Sequence, residues 1–218
     1  MAKPLLVRQL AGLVPYEDGL RLQEECREAV QAGGVEQLLL LEHEPVYTRG
    51  RRTKAGELPM GEDWYLAQGI AICDTDRGGA VTYHGPGQLV GYPIMRIERV
   101  HEYVAALEHA LIAALADEGV EAELREGCTG VWAPKGKIAS IGVHVSKRVT
   151  THGFAVNVDN DLQPFEWVVP CGMEGAQMSS ICKETARDGH MDSFRDAIVR
   201  RLCEALDREP QVVVSTAG

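Results

Sequence analysis

Apolar and polar positions along this chain follow two different periods, and the switches between them predict the elements. Between residues 15 and 32, Tyr16, Leu20, Leu22, Cys26 and Val30 fall on one helical face, and Gly33-Gly34 ends the run. From 100 to 118 the same spacing is stronger: Val100, Tyr103, Val104, Leu107, Leu111 and Leu115 bury one side of a helix. Phe194, Ile198, Leu202 and Leu206 predict a last amphipathic helix.

Elsewhere the period shortens. PLLVRQL (4–10) reads as an opening strand and EQLLLLEH (36–43) as a buried one, with GIAICDT (69–75) as another. AVTY and LVGYP, then VEAEL, GVWA, KIASIGVHV and VTTHGFAVNV, read as short strands parted by turn signals, and QVVVS as a final strand. Residues 49–63 and 161–190, rich in Gly, Pro, Arg or Ser, read as irregular. Strands come in runs rather than in alternation with helices, which predicts an α+β fold with a mixed sheet flanked by helices. No linker, repeat or low-complexity tract divides the chain, so residues 1–218 are expected to form a single domain.

Composition narrows the function classes. The chain is 218 residues long with a formal charge of −10, which disfavours nucleic acid and anionic membranes as partners. One basic patch stands against that balance: Arg49, Arg51, Arg52 and Lys54. It is either a solvated loop or a landing site for an acidic partner or a phosphate. The longest aliphatic run, Leu38 to Leu41, is far short of the roughly 20 apolar residues of a membrane helix. With no leader pattern at the N-terminus, a cytoplasmic protein is expected. Six cysteines lack CxxC spacing and seven histidines lack HxH or HxxxH spacing, so neither disulfides nor a metal site is expected. GVWAPKGK fails as a phosphate loop, because five residues separate its glycines and Ile138 follows the lysine. GPGQLVG fails as a dinucleotide fingerprint, its third glycine falling one position late.

Candidate chemistry concentrates in three places. Cys171, in VVPCGM, sits where an apolar strand ends between a proline and a glycine. A thiol of ordinary pKa, about 8.5, needs a cationic neighbour to react as thiolate at neutral pH. Lys137, opening the strand KIASIGVHV, is a candidate for that neighbour; burial there lowers an amine's pKa, whereas a solvated strand end does not. The third place is RGGAVTYHGPGQLVGYP (77–93), where glycines interrupt two strands and leave backbone bare for close approach.

Taken together and in order, RGGAVTYHGPGQLVGYPI, GVWAPKGKIASIGVHV, THGFAVNV and VPCGM resemble the lipoyl(octanoyl) transferase family, from about His43 to Ser180. The resemblance implies the fold shared by the catalytic domains of biotin and lipoate protein ligases. It implies transfer of an octanoyl group from octanoyl-acyl carrier protein to a specific lysine of lipoyl domains. The implied acceptors are the lipoyl domains of 2-oxoacid dehydrogenase complexes and the glycine cleavage H protein, and no cofactor is implied. Cys171 matches the family's acyl-carrying nucleophile and Lys137 the lysine that activates it. Its acyl-substrate contacts match Arg77, Gly78, Gly79, Ala80, Val81, Thr82, Tyr83 and His84, then Ser140, Ile141 and Gly142, then Gly153, Phe154 and Ala155. Within that reading Arg77 either meets the donor phosphate or pairs with Asp74 or Asp76. His84 and His152 either serve the site or hold local structure, and Gly85 and Gly87 join Gly78 and Gly79 in baring the backbone. Rival readings are an ATP-dependent ligase on the same fold, a silent carrier-binding scaffold, and a thioesterase.

Overall fold

A computed structural model of the chain describes residues 2–169 and 177–216. Eight strands form one mixed sheet and three form a second, smaller sheet. In chain order the elements begin with β1 (Lys3–Val14), α1 (Tyr16–Gln31), β2 (Glu36–His43), β3 (Val46–Arg49) and α2 (Glu62–Ala67). β4 (Ala71–Asp74), β5 (Val81–His84), β6 (Gln88–Ile94), α3 (Val100–Asp117), β7 (Glu123–Arg125) and β8 (Cys128–Ala133) follow. The chain then runs through β9 (Gly136–Ser146), β10 (Val149–Asn157), a 3-10 turn (Gln163–Trp167), α4 (Ile181–Thr185), α5 (Met191–Leu206) and β11 (Arg208–Thr216).

The large sheet has the order β11-β1-β2-β6-β10-β9-β8-β7. Its first three strands are mutually parallel and the rest pair antiparallel. The run Leu38 to Leu41 in β2 is buried throughout, because both faces of the sheet are covered. Leu38 and Leu40 pack with Leu89, Val156 and the apolar faces of α3 and α5. Leu39 and Leu41 face the other way, toward Val90, Tyr92 and the Cys26–Val30 face of α1. The period-two alternation of one strand therefore feeds two separate cores.

The small sheet, β4-β3-β5, carries a third core in which Tyr47, Tyr65, Val81 and Tyr83 meet the 3-10 turn. Here the structure departs from the pattern-based expectation. β3 and α2 form inside or beside a stretch read as irregular, and α4 forms within 161–190. All three are short, six residues at most; β3 and α2 are held by aromatic packing and, for β3, strand pairing, whereas α4 is held by its Ser180 cap and by Ile181 in the large core. The strand predicted at 120–124 forms later, as β7, and β11 begins at Arg208 instead of residue 211.

Candidate active site

The two sheets meet over a cavity of about 450 Å³, within the roughly 300–1,000 Å³ range of small-molecule sites. β5 presents Thr82 and His84 to it, while Arg77 to Ala80, the loop leading into β5, forms a wall. β9 contributes Lys137 and Ser140 to Gly142, β10 contributes His152 to Ala155, and Val90 and Tyr92 enter from β6. Nearly all of the residues expected at the site thus lie on one cavity. Tyr83 does not line it: its ring packs in the third core, 5.5 Å from Tyr47 and 5.4 Å from Phe165 between centroids. Cys171 lies outside the described residues.

Lys137 owes its position to two glycines. Gly130 has φ +120°, and a Cβ there would stand 2.8 Å from Lys137 Cε, so the bare backbone leaves room for the lysine stem. A Cβ on Gly136 would stand 2.3 Å from the carbonyl oxygen of Gln177. That close approach lets residues 177–179 pair with β9. Lys137 N–H donates to Gln177 O at 2.9 Å, and Lys137 O accepts from Ser179 N–H at 2.9 Å. Lys137 is buried, and burial pushes its amine below the ordinary lysine range. The thiol of Cys128 opposes that shift and Arg77 adds to it.

Arg77 takes neither of its expected carboxylate partners. Asp74 pairs with Arg49, and Asp76 with His152. The buried guanidinium instead donates to Thr48, through Nε to Oγ1 at 3.2 Å and through Nη2 to the carbonyl at 2.7 Å and Oγ1 at 2.7 Å. Nη1 donates to Gly78 O at 3.1 Å. Arg77 therefore braces the glycine loop against β3. Gly85 and Gly87 are explained by their own neighbours rather than by the cavity. A Cβ on Gly85 would stand 2.2 Å from the Tyr83 hydroxyl, and Gly87 (φ +82°) lies against Asn160.

Three histidines are fixed in neutral, directional states. His43 Nδ1–H donates to Val14 O at 2.8 Å, leaving Nε2 to accept from Tyr92 OH at 2.7 Å. Burial holds its pKa down to about 4. Gly19, inside α1, is what admits this ring: a Cβ there would stand 2.8 Å from His43 Cε1. The Gln88 amide donates to Tyr83 O and Asn157 Oδ1, so its oxygen accepts from His84 Nδ1–H at 2.7 Å. His84 thus keeps an unprotonated Nε2 on the cavity wall, and burial, reinforced by His43, pulls its pKa well below the usual range. His152 has φ +57°, a conformation costly for a residue with a side chain. It is held there by a 2.7 Å bond from its N–H to Gln23 Oε1 and by Nε2 facing Asp76 Oδ1 at 2.7 Å.

Sequence reasoning missed Tyr16, Tyr92 and Cys128 on the cavity wall. Tyr92 was accessible through strand alternation, since it shares a sheet face with Val90 and Ala155. Tyr16 and Cys128 arrive by long-range packing that leaves no local signal. Away from the cavity, Asp159, Cys182 and Asp188 place potential metal-ligand atoms within 4.8 Å of one another. The bond to Asp188 pushes the Cys182 thiol up to about 11.

The fold and cavity define an α+β protein with a pocket walled by both sheets and lined by a glycine loop, a buried lysine and apolar side chains. The chain belongs to the family of lipoyl protein ligase A/B catalytic domains, whose family model matches residues 15–203. An octanoyltransferase from Mycobacterium tuberculosis is 46% identical over 207 residues, covering 92% of this chain and 86% of its own. Among solved structures, lipoate-protein ligase A bound with ATP superposes with a TM-score of 0.78 at 19% identity, covering 100% of this chain and 90% of that one. Biotin protein ligase from Aquifex aeolicus aligns with a TM-score of 0.52 at 13% identity, covering 94% of this chain and 70% of that one. The fold expected from the motifs is the fold these neighbours share.

Proposed function

We propose that this chain is an octanoyltransferase in which residues 1–218 act as one catalytic domain. It moves an octanoyl group from octanoyl-acyl carrier protein to a lysine of lipoyl domains, the acceptors including 2-oxoacid dehydrogenase complexes and the glycine cleavage H protein. The observation that carries this reading is the convergence of Lys137, the Arg77–His84 strand and loop, Ser140 to Gly142 and Gly153 to Ala155 on one cavity. The 46% identity to a relative named octanoyltransferase supports it.

In the proposed chemistry Cys171 gives up its proton to Lys137, whose burial lowers its pKa and so favours the neutral amine that can accept one. The thiolate attacks the octanoyl thioester. An acyl-enzyme forms and the carrier thiol leaves with the proton held by Lys137. The acceptor lysine, as free amine, then attacks the acyl-enzyme carbonyl. An amide forms, and the departing Cys171 sulfur takes a proton released by the amine, by way of Lys137. The apolar wall of Val90, Tyr92, Ile141, Phe154 and Ala155 would hold the octanoyl chain. In this scheme backbone N–H groups of the glycine stretch or beside Cys171 would steady the developing oxyanion, an effect typically worth ~3 kcal/mol. Thioester exchange is nearly balanced and amide formation runs downhill, so no ATP or other cofactor enters this scheme.

Intact-mass spectrometry tests it. Mixing the protein with octanoyl-acyl carrier protein is expected to add one octanoyl mass, absent in Cys171→Ala, and the adduct should clear on adding a lipoyl domain. No adduct on the unaltered protein, or pyrophosphate release from ATP and free octanoate, would move the reading to the ligase class.

A further inference from the structure

We infer that Arg52 and Lys54 form a phosphate-recognition site at the cavity mouth, so that the protein selects an acyl donor with an apolar inner end and an anionic outer end. This deepens the acyl-transfer reading above and rests on it. The cavity wall changes character with depth. Val90, Tyr92, Phe154 and Ala155 are buried, whereas Arg52 and Lys54 line the same cavity as exposed residues. A ligand matching both ends is amphipathic.

Elimination among the cations points to these two. Arg77, the sequence-level candidate for a phosphate, spends its donors on Thr48 and Gly78. Arg49 is engaged by Asp74 and Glu62. Lys137 is buried beside Trp132, its Nζ 5.9 Å from the ring centroid. Among the described residues, neither Arg52 nor Lys54 takes part in an ion pair. In a chain of formal charge −10 they make a local exception beside the pocket.

The basic loop is also fixed in place. Arg51 N–H donates to Arg77 O at 3.1 Å and Arg52 N–H to Gly79 O at 3.0 Å. Gly50 packs so tightly that a Cβ there would stand 2.4 Å from Gly79 O. The cations are therefore carried by the glycine loop that walls the cavity, and charge-assisted bonds from Arg and Lys are the common means of holding phosphate.

The test reads binding without turnover. Titration calorimetry compares S-octyl-4′-phosphopantetheine, a thioether that transfers no acyl group, with S-octylpantetheine, which lacks the phosphate. The unaltered protein is expected to prefer the phosphorylated ligand by about 10–100-fold. In R52Q/K54Q that preference should fall to within about twofold, with an unchanged unfolding midpoint showing that the exposed substitutions leave the fold intact. No preference in the unaltered protein, or the same preference in the variant, overturns the inference. ATP forms the third arm: ATP binding lost in the variant, without a phosphopantetheine preference, assigns the loop to a nucleotide and also overturns it. A protein that acylates Cys171 but keeps its preference in R52Q/K54Q retains the transfer reading and loses this site. One that shows the preference shift but forms no acyl adduct does the reverse.

Discussion

Both faces of the large sheet bury an apolar core, but they differ in how many polar groups are buried beside it. Under α3 and α5, Leu38, Leu40, Leu89 and Val156 meet Leu107, Leu111, Phe194 and Ile198, all apolar side chains essentially without exposure. On the α1 side, toward the cavity, the buried groups include His43, His84, Tyr92, His152 and Arg77. Burying such groups is costly unless they find partners, and here each has one, Val14, Gln88, His43, Asp76 and Thr48 respectively, although His152 Nδ1 is buried without one. One face supplies stability by area and dispersion. The other holds directional groups in fixed protonation states beside a cavity, an arrangement that stability alone does not require.

The largest effect expected from this contrast is on activity. Lys137→Met should lower kcat/KM for octanoyl transfer by about 10²- to 10⁴-fold, the range of a lost proton-transfer group. Circular dichroism and the unfolding midpoint should stay close to those of the unaltered chain, because a buried, desolvated amine is exchanged for an apolar side chain of similar length. Loss of fold in step with activity would erase the distinction between the faces.

The opposite face predicts the opposite signature. Phe194→Ala and Leu107→Ala, both at fully buried positions, should each cost about 3–5 kcal/mol in urea unfolding through lost transfer energy and an unfilled cavity. The fraction that remains folded should transfer octanoate at an ordinary rate.

Acid titration separates the faces a third way. His43 has a native pKa of about 4 against 6.5 when unfolded. Below pH 6.5 the unfolded chain takes up a proton that the native chain refuses. Stability from this group is therefore complete above 6.5 and is lost as pH falls toward 4, by about 3 kcal/mol in all. His43→Gln should flatten that part of the stability–pH curve; an unchanged slope would mean that another group governs it.

How much of this was legible beforehand follows the same division. α1, α3 and α5 each repeat an apolar stripe over 16 to 18 residues, long enough for the period to declare itself, and β2 is unmistakable as a four-leucine run. The short β3, α2 and α4 carry too few residues for a period: β3 and α2 are held by Tyr47, Tyr65 and Trp64 packing toward the distant 3-10 turn, and α4 by its Ser180 cap and by Ile181 in the large core. At the site, Lys137 and the glycine-rich stretches were visible as motifs, and burial of Lys137 decides between the buried and solvated readings that its strand position left open. The partners were not visible. That Arg77 would turn to Thr48, 29 residues away, and leave Asp76 to His152 depends on sheet register, which no local pattern encodes. Gly85 and Gly87 show the converse, since a glycine needed for internal packing reads just like one needed for a ligand.

The smallest expected effect bears on Arg77. Thr48→Val keeps the shape of a fully buried side chain but removes the Oγ1 that accepts from Arg77 Nε and Nη2, leaving the Thr48 carbonyl and Gly78 O as acceptors. The loss should be about 1–2 kcal/mol of stability. If Arg77 positions the glycine loop, KM for the octanoyl donor should rise several-fold with kcat little changed, because the wall that receives the chain is loosened while the cysteine and lysine are untouched. Thr48→Ser, which restores the hydroxyl, should recover most of that KM. A Thr48→Val variant that loses stability but keeps its KM would make Arg77 a strut of the small sheet alone, and the polar face would then reach the ligand only through Lys137 and the histidines.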